Sequence, residues 1–143
     1  MEASELAESI RGIKHSFMVY RNGIVADALR AGTPYSVIFG LQVPQLAGIA
    51  RALPQEPDLA MALWNDYKVR ESRLLAVYLF PPAETTIETA LALTRSVQTR
   101  EEADMLAFRL LKRMSNPSSL LAAMEADSSI PEFSVDALRN HLS

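Results

Sequence analysis

The sequence predicts an all-α protein, and three observations lead to this fold class. Only 5 of the 143 residues are glycine while alanine and leucine are abundant, a balance that favours helices. Along several segments apolar residues recur every three or four positions, as they do on one face of a helix. The strand-like run Val37-Ile38-Phe39 has no second run with which to pair, so no strand is assigned.

Five helices are predicted in the first half of the chain, at 4–20, 24–31, 44–53, 58–67 and 69–80. The first carries apolar residues at steps of four, three and four, which line one face: Leu6, Ile10, Ile13 and Phe17. Asn22-Gly23 suits the end of this helix, and Pro44 suits the first turn of the third. Pro81-Pro82 ends the fifth.

Four more helices are predicted at 86–97, 99–114, 117–126 and 134–142. Thr85-Thr86-Ile87-Glu88 and Thr99-Arg100-Glu101-Glu102 both have the spacing of a capping box, in which threonine and glutamate cap a helix start reciprocally. The second box begins 14 residues after the first, which predicts two helices joined by a tight turn. Asn116-Pro117 starts the next helix, and a loop is expected at 127–131.

Short helices with short connections are typical of a HEAT-like solenoid, in which antiparallel helix pairs stack in series. Arg51 and Arg95 lie near the ends of alternate helices, 44 residues apart, within the ~40–47 residues of a HEAT repeat. A chain of 143 residues suits one domain. We therefore predict a single HEAT-like domain over 1–143, with about nine short helices.

Composition excludes several kinds of protein. No cysteine is present, which excludes disulfides and thiolate metal sites, and the only histidines, His15 and His141, lie near opposite ends. The net charge of −3 argues against a protein whose whole surface binds phosphate, although a local basic face remains compatible with it. No apolar run approaches the ~20 residues of a membrane span and no signal peptide is visible, so a cytoplasmic protein is expected.

Three motifs, taken in their order, resemble the AlkD-like family of DNA alkylation repair glycosylases. Residues 39–46, FGLQVPQL, are similar to the family's aromatic-Gly-hydrophobic-x-x-Pro segment. Leu63-Trp64 followed by RESRLLA at 70–76 resembles its Leu-Trp and Arg-Glu-x-x-x-x-Ala pattern. TREEAD at 99–104 takes the place of its Ser-Trp-Asp-x-x-Asp segment, whose last residue is the catalytic carboxylate. The resemblance covers 22–114.

The resemblance implies a DNA glycosylase chemistry with Asp104 as the catalytic carboxylate. Family members remove cationic N3- or N7-alkylpurines from double-stranded DNA, which they bind on a concave basic surface without a metal or organic cofactor. A fixed carboxylate would stabilise the oxocarbenium-like sugar that forms as the glycosidic bond breaks. Candidates for DNA contact are Arg70, Arg73, Arg100, Arg109, Lys112 and Arg113. The alternative role of these cations is an ordinary solvated basic surface.

The chain departs from the family pattern at Arg100, where the family has a tryptophan. An aromatic face beside Asp104 would hold a cationic sugar or base, whereas an arginine would repel it. Arg100 also precedes Asp104 by one helical turn, so a surface ion pair between them is the alternative role for Asp104. The family continues beyond this point with helix pairs that supply a further Arg and Trp, whereas 115–143 contain no tryptophan.

Three functions are therefore open: a small glycosylase that uses Asp104, a relative that binds DNA without excising bases, and a helical module that binds another protein or itself. The ordered motifs favour a tie to DNA repair, and the net negative charge favours the third. The preferred prediction is a DNA alkylation repair-like protein with reduced or absent N-glycosylase activity. The alternative is a non-catalytic scaffold that self-associates through an uncovered solenoid face.

Overall fold

The computed structural model describes residues 1–143 and contains nine α-helices and no strand. The helices are α1 (Ala3–Tyr20), α2 (Gly23–Arg30), α3 (Val43–Arg51), α4 (Pro57–Asn65), α5 (Arg70–Leu79), α6 (Ile87–Arg95), α7 (Arg100–Arg109), α8 (Pro117–Glu125) and α9 (Glu132–Leu142). Two 3₁₀ turns accompany them, at Pro82–Glu84 and Leu111–Arg113. The all-α prediction is confirmed, and no helix is long and apolar enough to cross a bilayer.

Most helix ends lie within two residues of their predicted positions, but two local expectations are wrong. Thr86, and not Thr85, is the N-cap of α6, and its hydroxyl accepts a hydrogen bond from the Thr89 amide at 3.1 Å. The helix expected over 99–114 ends at Arg109, since the next residue, Leu110, leaves helical geometry with φ −122° and ψ −62°. The last residues of that stretch form a 3₁₀ turn instead.

The threonine half of the capping box predicted at the start of α7 is present, and the Glu102 carboxylate bonds the residue before the N-cap. The Glu102 amide donates to the Thr99 hydroxyl at 3.1 Å, and the Glu102 carboxylate accepts from the Gln98 amide at 2.9 Å. The Thr99 hydroxyl therefore satisfies an amide that the first turn of a helix would leave without a partner, and Glu102 ties the preceding residue to the same turn. This cap fixes where α7 begins, and hence where Arg100 and Asp104 lie on it.

The chain divides into two compact units, Met1–Phe80 and Pro81–Ser143, each with its own core. In the first unit α4 packs on α5, α3 packs on α5 and α1 packs on α4. The largest side chains that are fully buried in this unit are Phe17, Leu41, Leu46, Leu59, Leu63, Leu74, Leu75 and Leu79. In the second unit α7 packs on α9, and α8 packs on α6 and α9. Its buried leucines are Leu93, Leu106, Leu110, Leu111, Leu120 and Leu138.

The segment between α2 and α3 is held by the residues that begin α5. The Val37 amide donates to the Lys68 carbonyl at 3.0 Å, and the Val37 carbonyl accepts from the Arg70 amide at 3.2 Å. These bonds form one isolated parallel bridge between Val37 and Val69. The strand-like run around Val37 therefore belongs to no sheet, which confirms that no strand should be assigned to it.

A buried carboxylate fastens the same segment. The Glu71 side chain is fully buried and accepts hydrogen bonds from three consecutive amides, those of Phe39 (2.9 Å), Gly40 (3.0 Å) and Leu41 (3.3 Å). The Arg70 guanidinium completes the arrangement, donating to the Glu71 carboxylate at 2.8 Å and to the Leu41 carbonyl at 2.9 Å. We call these five residues the Glu71 clamp. Two of the three motifs noted in the sequence thus contact each other.

Glycine is required at one position of this clamp. Gly40 has φ +88°, and a Cβ there would lie 2.3 Å from the Asn22 carbonyl oxygen and 2.9 Å from the Ala26 nitrogen. Asn22 itself is the N-cap of α2, and its side chain accepts from the Ile24 and Val25 amides. Asn22, predicted to follow the end of the first helix, therefore also caps the start of α2.

The loop predicted at 127–131 is present and is organised by Asp127. The Asp127 carboxylate accepts from the Ser129 hydroxyl and from the Ser129 amide at 3.0 Å, and the Arg95 guanidinium donates to it at 2.6 Å. The Ser129 hydroxyl, followed by Arg95, lowers the pKa of Asp127 from 3.8 to about 2, because each stabilises the ionised form.

Candidate functional site

The Asp104 carboxylate lies on α7 with its side chain 68% exposed, and its partner comes from α9. The Asp104 Oδ1 atom is 2.9 Å from Nε2 of His141, whose side chain is 25% exposed. The surface pair expected between Asp104 and Arg100 is replaced by this one. The Arg100 guanidinium carbon instead lies 5.7 Å from the centroid of the Phe133 ring on α9.

Three of the predicted DNA-contacting cations surround a single aromatic ring. Distances to the Phe108 ring centroid are 5.1 Å from the guanidinium carbon of Arg109, 4.4 Å from Nζ of Lys112 and 5.4 Å from the guanidinium carbon of Arg113. The imidazole of His141 is the fourth neighbour, with its centroid 5.4 Å from that of Phe108. We call Phe108, Arg109, Lys112, Arg113 and His141 the Phe108 cluster.

The end of α7 explains why these cations gather. Because the helix stops at Arg109 and a 3₁₀ turn follows at Leu111–Arg113, the chain turns back toward the Phe108 ring. The Arg113 Nε donates to the Phe108 carbonyl at 3.2 Å, which holds the turn in place. Cations near the C-terminal end of a helix also interact favourably with the helix dipole. The negative face of the Phe108 ring and the negative C-terminal end of the α7 dipole together offset part of the repulsion between the three cations.

The cluster lies beside Asp104 within the second unit. Phe108 follows Asp104 by four residues on α7, which places both on one face of the helix, and His141 contacts both of them. The surface therefore combines an exposed carboxylate, a histidine, an aromatic ring and three cations. It can bind an anion such as a phosphate through the cations, while the carboxylate can face positive charge. No group of three His, Asp or Glu side chains in residues 1–143 is arranged to hold a metal ion.

Two predicted DNA contacts are wrong. Arg70 and Arg73 have 4% and 3% of their surface exposed, so neither presents a guanidinium to a phosphate. Arg70 belongs to the Glu71 clamp, and the guanidinium carbon of Arg73 stacks 3.9 Å from the centroid of the Trp64 ring. Planar guanidinium groups suit both a carboxylate and an aromatic face, which is why arginine can be buried here. The same burial excludes the alternative of a solvated basic surface for these two residues.

Sequence reasoning missed Phe108 and His141. Phe108 precedes three cations within five residues, and an aromatic residue one helical turn after a candidate carboxylate is a signal that could have found it. His141 offered no such signal, because it lies 37 residues from Asp104 and joins it only through the packing of α9 on α7.

Comparison with known proteins adds no relative: no protein-family model, curated protein or solved structure matches this chain. The resemblance to the AlkD-like family therefore stays a prediction carried by the three sequence motifs.

Proposed function

We propose that this protein binds double-stranded DNA through the Phe108 cluster and has reduced or absent N-glycosylase activity toward alkylated purines. The observation that carries the proposal is the gathering of Arg109, Lys112 and Arg113 around one ring, beside the carboxylate Asp104. Arg113 is exposed and the other two are partly exposed, so all three contribute to the solvent-facing surface. The proposal includes a HEAT-like arrangement of the helices, a cytoplasmic location and descent from an AlkD-like ancestor, which the motifs support.

The number of cations sets the strength expected of this interface. If each of the three contacts one phosphate, the slope of log K against log salt is about −2.7, at about −0.9 per phosphate on a duplex. Affinity then falls about 40-fold between 50 and 200 mM salt. Three contacts give weak, sequence-independent binding, which agrees with a protein whose net charge is −3.

Two features support a weakened catalytic role for Asp104. A glycosylase carboxylate must face the positive charge that develops on the sugar, but Asp104 already has His141 at 2.9 Å. Arg100 adds a permanent positive charge one helical turn before Asp104, where an aromatic face would serve a cationic lesion better.

The binding test compares two triple variants with the same change in net charge. Replacing Arg109, Lys112 and Arg113 with glutamine should weaken binding to a fluorescent duplex at least tenfold at low salt and flatten the salt dependence. The matched control replaces three exposed arginines of the first unit with glutamine: Arg21, Arg30 and Arg51. Equal losses from both variants, or no binding by the unmodified protein at ~50 mM salt, would refute the proposed interface.

The catalytic part is tested with duplex DNA that carries N7-methylguanine. Under single-turnover conditions we expect release of the base near the uncatalysed background. Fast release that Asp104→Asn abolishes would show a fully active glycosylase and would contradict the proposed loss of activity.

A second candidate is a non-catalytic scaffold that binds another protein or itself. Several large apolar side chains of the first unit are solvent-exposed, including Ile24 at 85% and Val19 at 64%. A partner that covered these side chains would remove their apolar surface from water. Absence of DNA binding together with self-association would favour this candidate over the first.

A further inference from the structure

An apolar groove of about 710 Å³ runs between α1 and α3 in the first unit. Its apolar walls are formed by Ile13 and Tyr20 on the α1 side and by Pro44, Ile49 and Leu53 on the α3 side. The groove is open to solvent along its length, and no segment of the described chain fills it. The residues that line it all belong to the first unit, whereas the Phe108 cluster belongs to the second.

Glycines widen the groove from both walls. A Cβ added to Gly12 on α1 would meet no atom within 4 Å, and one added to Gly48 on α3 would meet only Nη2 of Arg51 at 3.7 Å. Neither glycine has a positive φ. Glycine inside a helix is unfavourable relative to alanine, and here neither the backbone nor the internal packing requires it. What the two glycines provide is room for another backbone to approach.

The charges along α1 indicate which helix could approach the groove. The start of α1 is acidic and its second half is basic. The acidic residues are Glu2 (the N-cap), Glu5 and Glu8, and the basic residues are Arg11, Lys14 and His15. Lys14 is held by Asp66 at 3.0 Å, while Glu8, Arg11, Gly12 and His15 line one shallow surface beside the groove. A second α1 that runs antiparallel would place its basic half opposite the acidic half, and a parallel one would oppose like charges.

We propose that this groove is a homodimer interface in which α1 of a second copy lies antiparallel across Gly12. A twofold axis near Gly12 makes the contact isologous, so each copy fills the groove of the other. Residues Glu8 and His15 lie on the same edge of α1, and the twofold axis brings Glu8 of one copy opposite His15 of the other. The apolar side chains at the end of α1, Met18 and Val19, which are 46% and 64% exposed, are covered in this arrangement.

This proposal deepens the scaffold candidate and does not depend on DNA binding. Sedimentation velocity of the full chain over a range of concentrations should show a monomer–dimer equilibrium. Gly12→Leu should abolish the dimer, because the side chain fills the space that the second helix needs. Leucine is a better helix former than glycine and its Cβ meets no atom of its own chain within 4 Å there, so circular dichroism should show an intact fold.

Charge reversal tests the orientation of the two helices. Glu8→Lys should raise the dimer dissociation constant about tenfold, since in each of two symmetric pairs it places a lysine opposite the basic half of the partner's α1. The double variant Glu8→Lys/His15→Glu should restore the dimer, and Glu88→Lys on α6, an exposed acid of the other unit, should leave it unchanged. A chain that is monomeric at every concentration, a dimer that survives Gly12→Leu, or a double variant that fails to restore association would each overturn the proposal.

Discussion

Replacing Glu71 with glutamine tests whether the Glu71 clamp stabilises the first unit. Glutamine keeps the shape of the side chain but offers one acceptor oxygen instead of two. If that oxygen keeps the bonds to Gly40 and Leu41, the new amide group points its own hydrogens at the Phe39 amide. One partly buried donor, the Phe39 amide, is then unsatisfied, at about 1–3 kcal/mol, and the buried Arg70 loses its compensating charge. Breaking a buried pair in this way costs about 3–5 kcal/mol in total.

Trp64 makes this loss measurable. It is the single tryptophan of the chain, it is buried in the first unit, and it stacks against Arg73, so its fluorescence reports unfolding of that unit. In a urea titration at pH 7, Glu71→Gln should lower the free energy of unfolding by about 3–5 kcal/mol. The control Asp27→Asn changes an exposed carboxylate of the same unit, 3.6 Å from Arg30, and should stay within about 0.5 kcal/mol of the unmodified protein.

A double-mutant cycle separates the pair from the rest of the clamp. Arg70→Met leaves the Glu71 charge buried, whereas the combined variant leaves neither charge. The combined loss should therefore be smaller than the sum of the two single losses by about 1–3 kcal/mol. A cost of less than about 1 kcal/mol for Glu71→Gln, or two losses that simply add, would show that the pair does not stabilise the first unit.

Two further predictions concern residues that shape loops. Gly40→Ala should lower the unfolding free energy of the first unit by more than about 2 kcal/mol, because the new Cβ meets the Asn22 carbonyl and φ is positive. Trp64 fluorescence in a urea titration measures this loss, and an unchanged unfolding midpoint would contradict the prediction. The pKa of Asp127 is lower in the folded state, about 2 against 3.8, so its contribution to stability is complete above pH 4 and is lost as pH falls toward 2. Asp127→Asn should therefore flatten the decline in melting temperature over that range, and an unaltered acid profile would argue against the assignment.

Local chemistry made the helices predictable from the sequence. Thr99 and Asn116 accept amide hydrogen bonds at the helix starts where the sequence placed them, because capping needs only residues within one turn. The end of α7 was not predictable in this way. The residues after Arg109 are good helix formers, and propensity alone would continue the helix where the structure has Leu110 and a 3₁₀ turn.

The candidate site was predictable only in part, for a related reason. Arg109, Lys112 and Arg113 are near neighbours in the chain, so a local pattern was enough to group them. Arg70 and Arg73 look like surface cations in sequence, but their partners lie elsewhere: Arg70 donates to Leu41, 29 residues away. Burial of a charged residue depends on such distant partners, which no local pattern contains.

The Glu71 clamp has a consequence for the motions of the chain. The amides of Phe39, Gly40 and Leu41 lie in a segment without helix or strand, where exchange with solvent deuterium is usually fast. Each donates to a buried carboxylate that lies 30 to 32 residues away, so exchange requires α5 to separate from this segment. These three loop amides should therefore exchange as slowly as those of the buried helices and report the opening of the whole first unit.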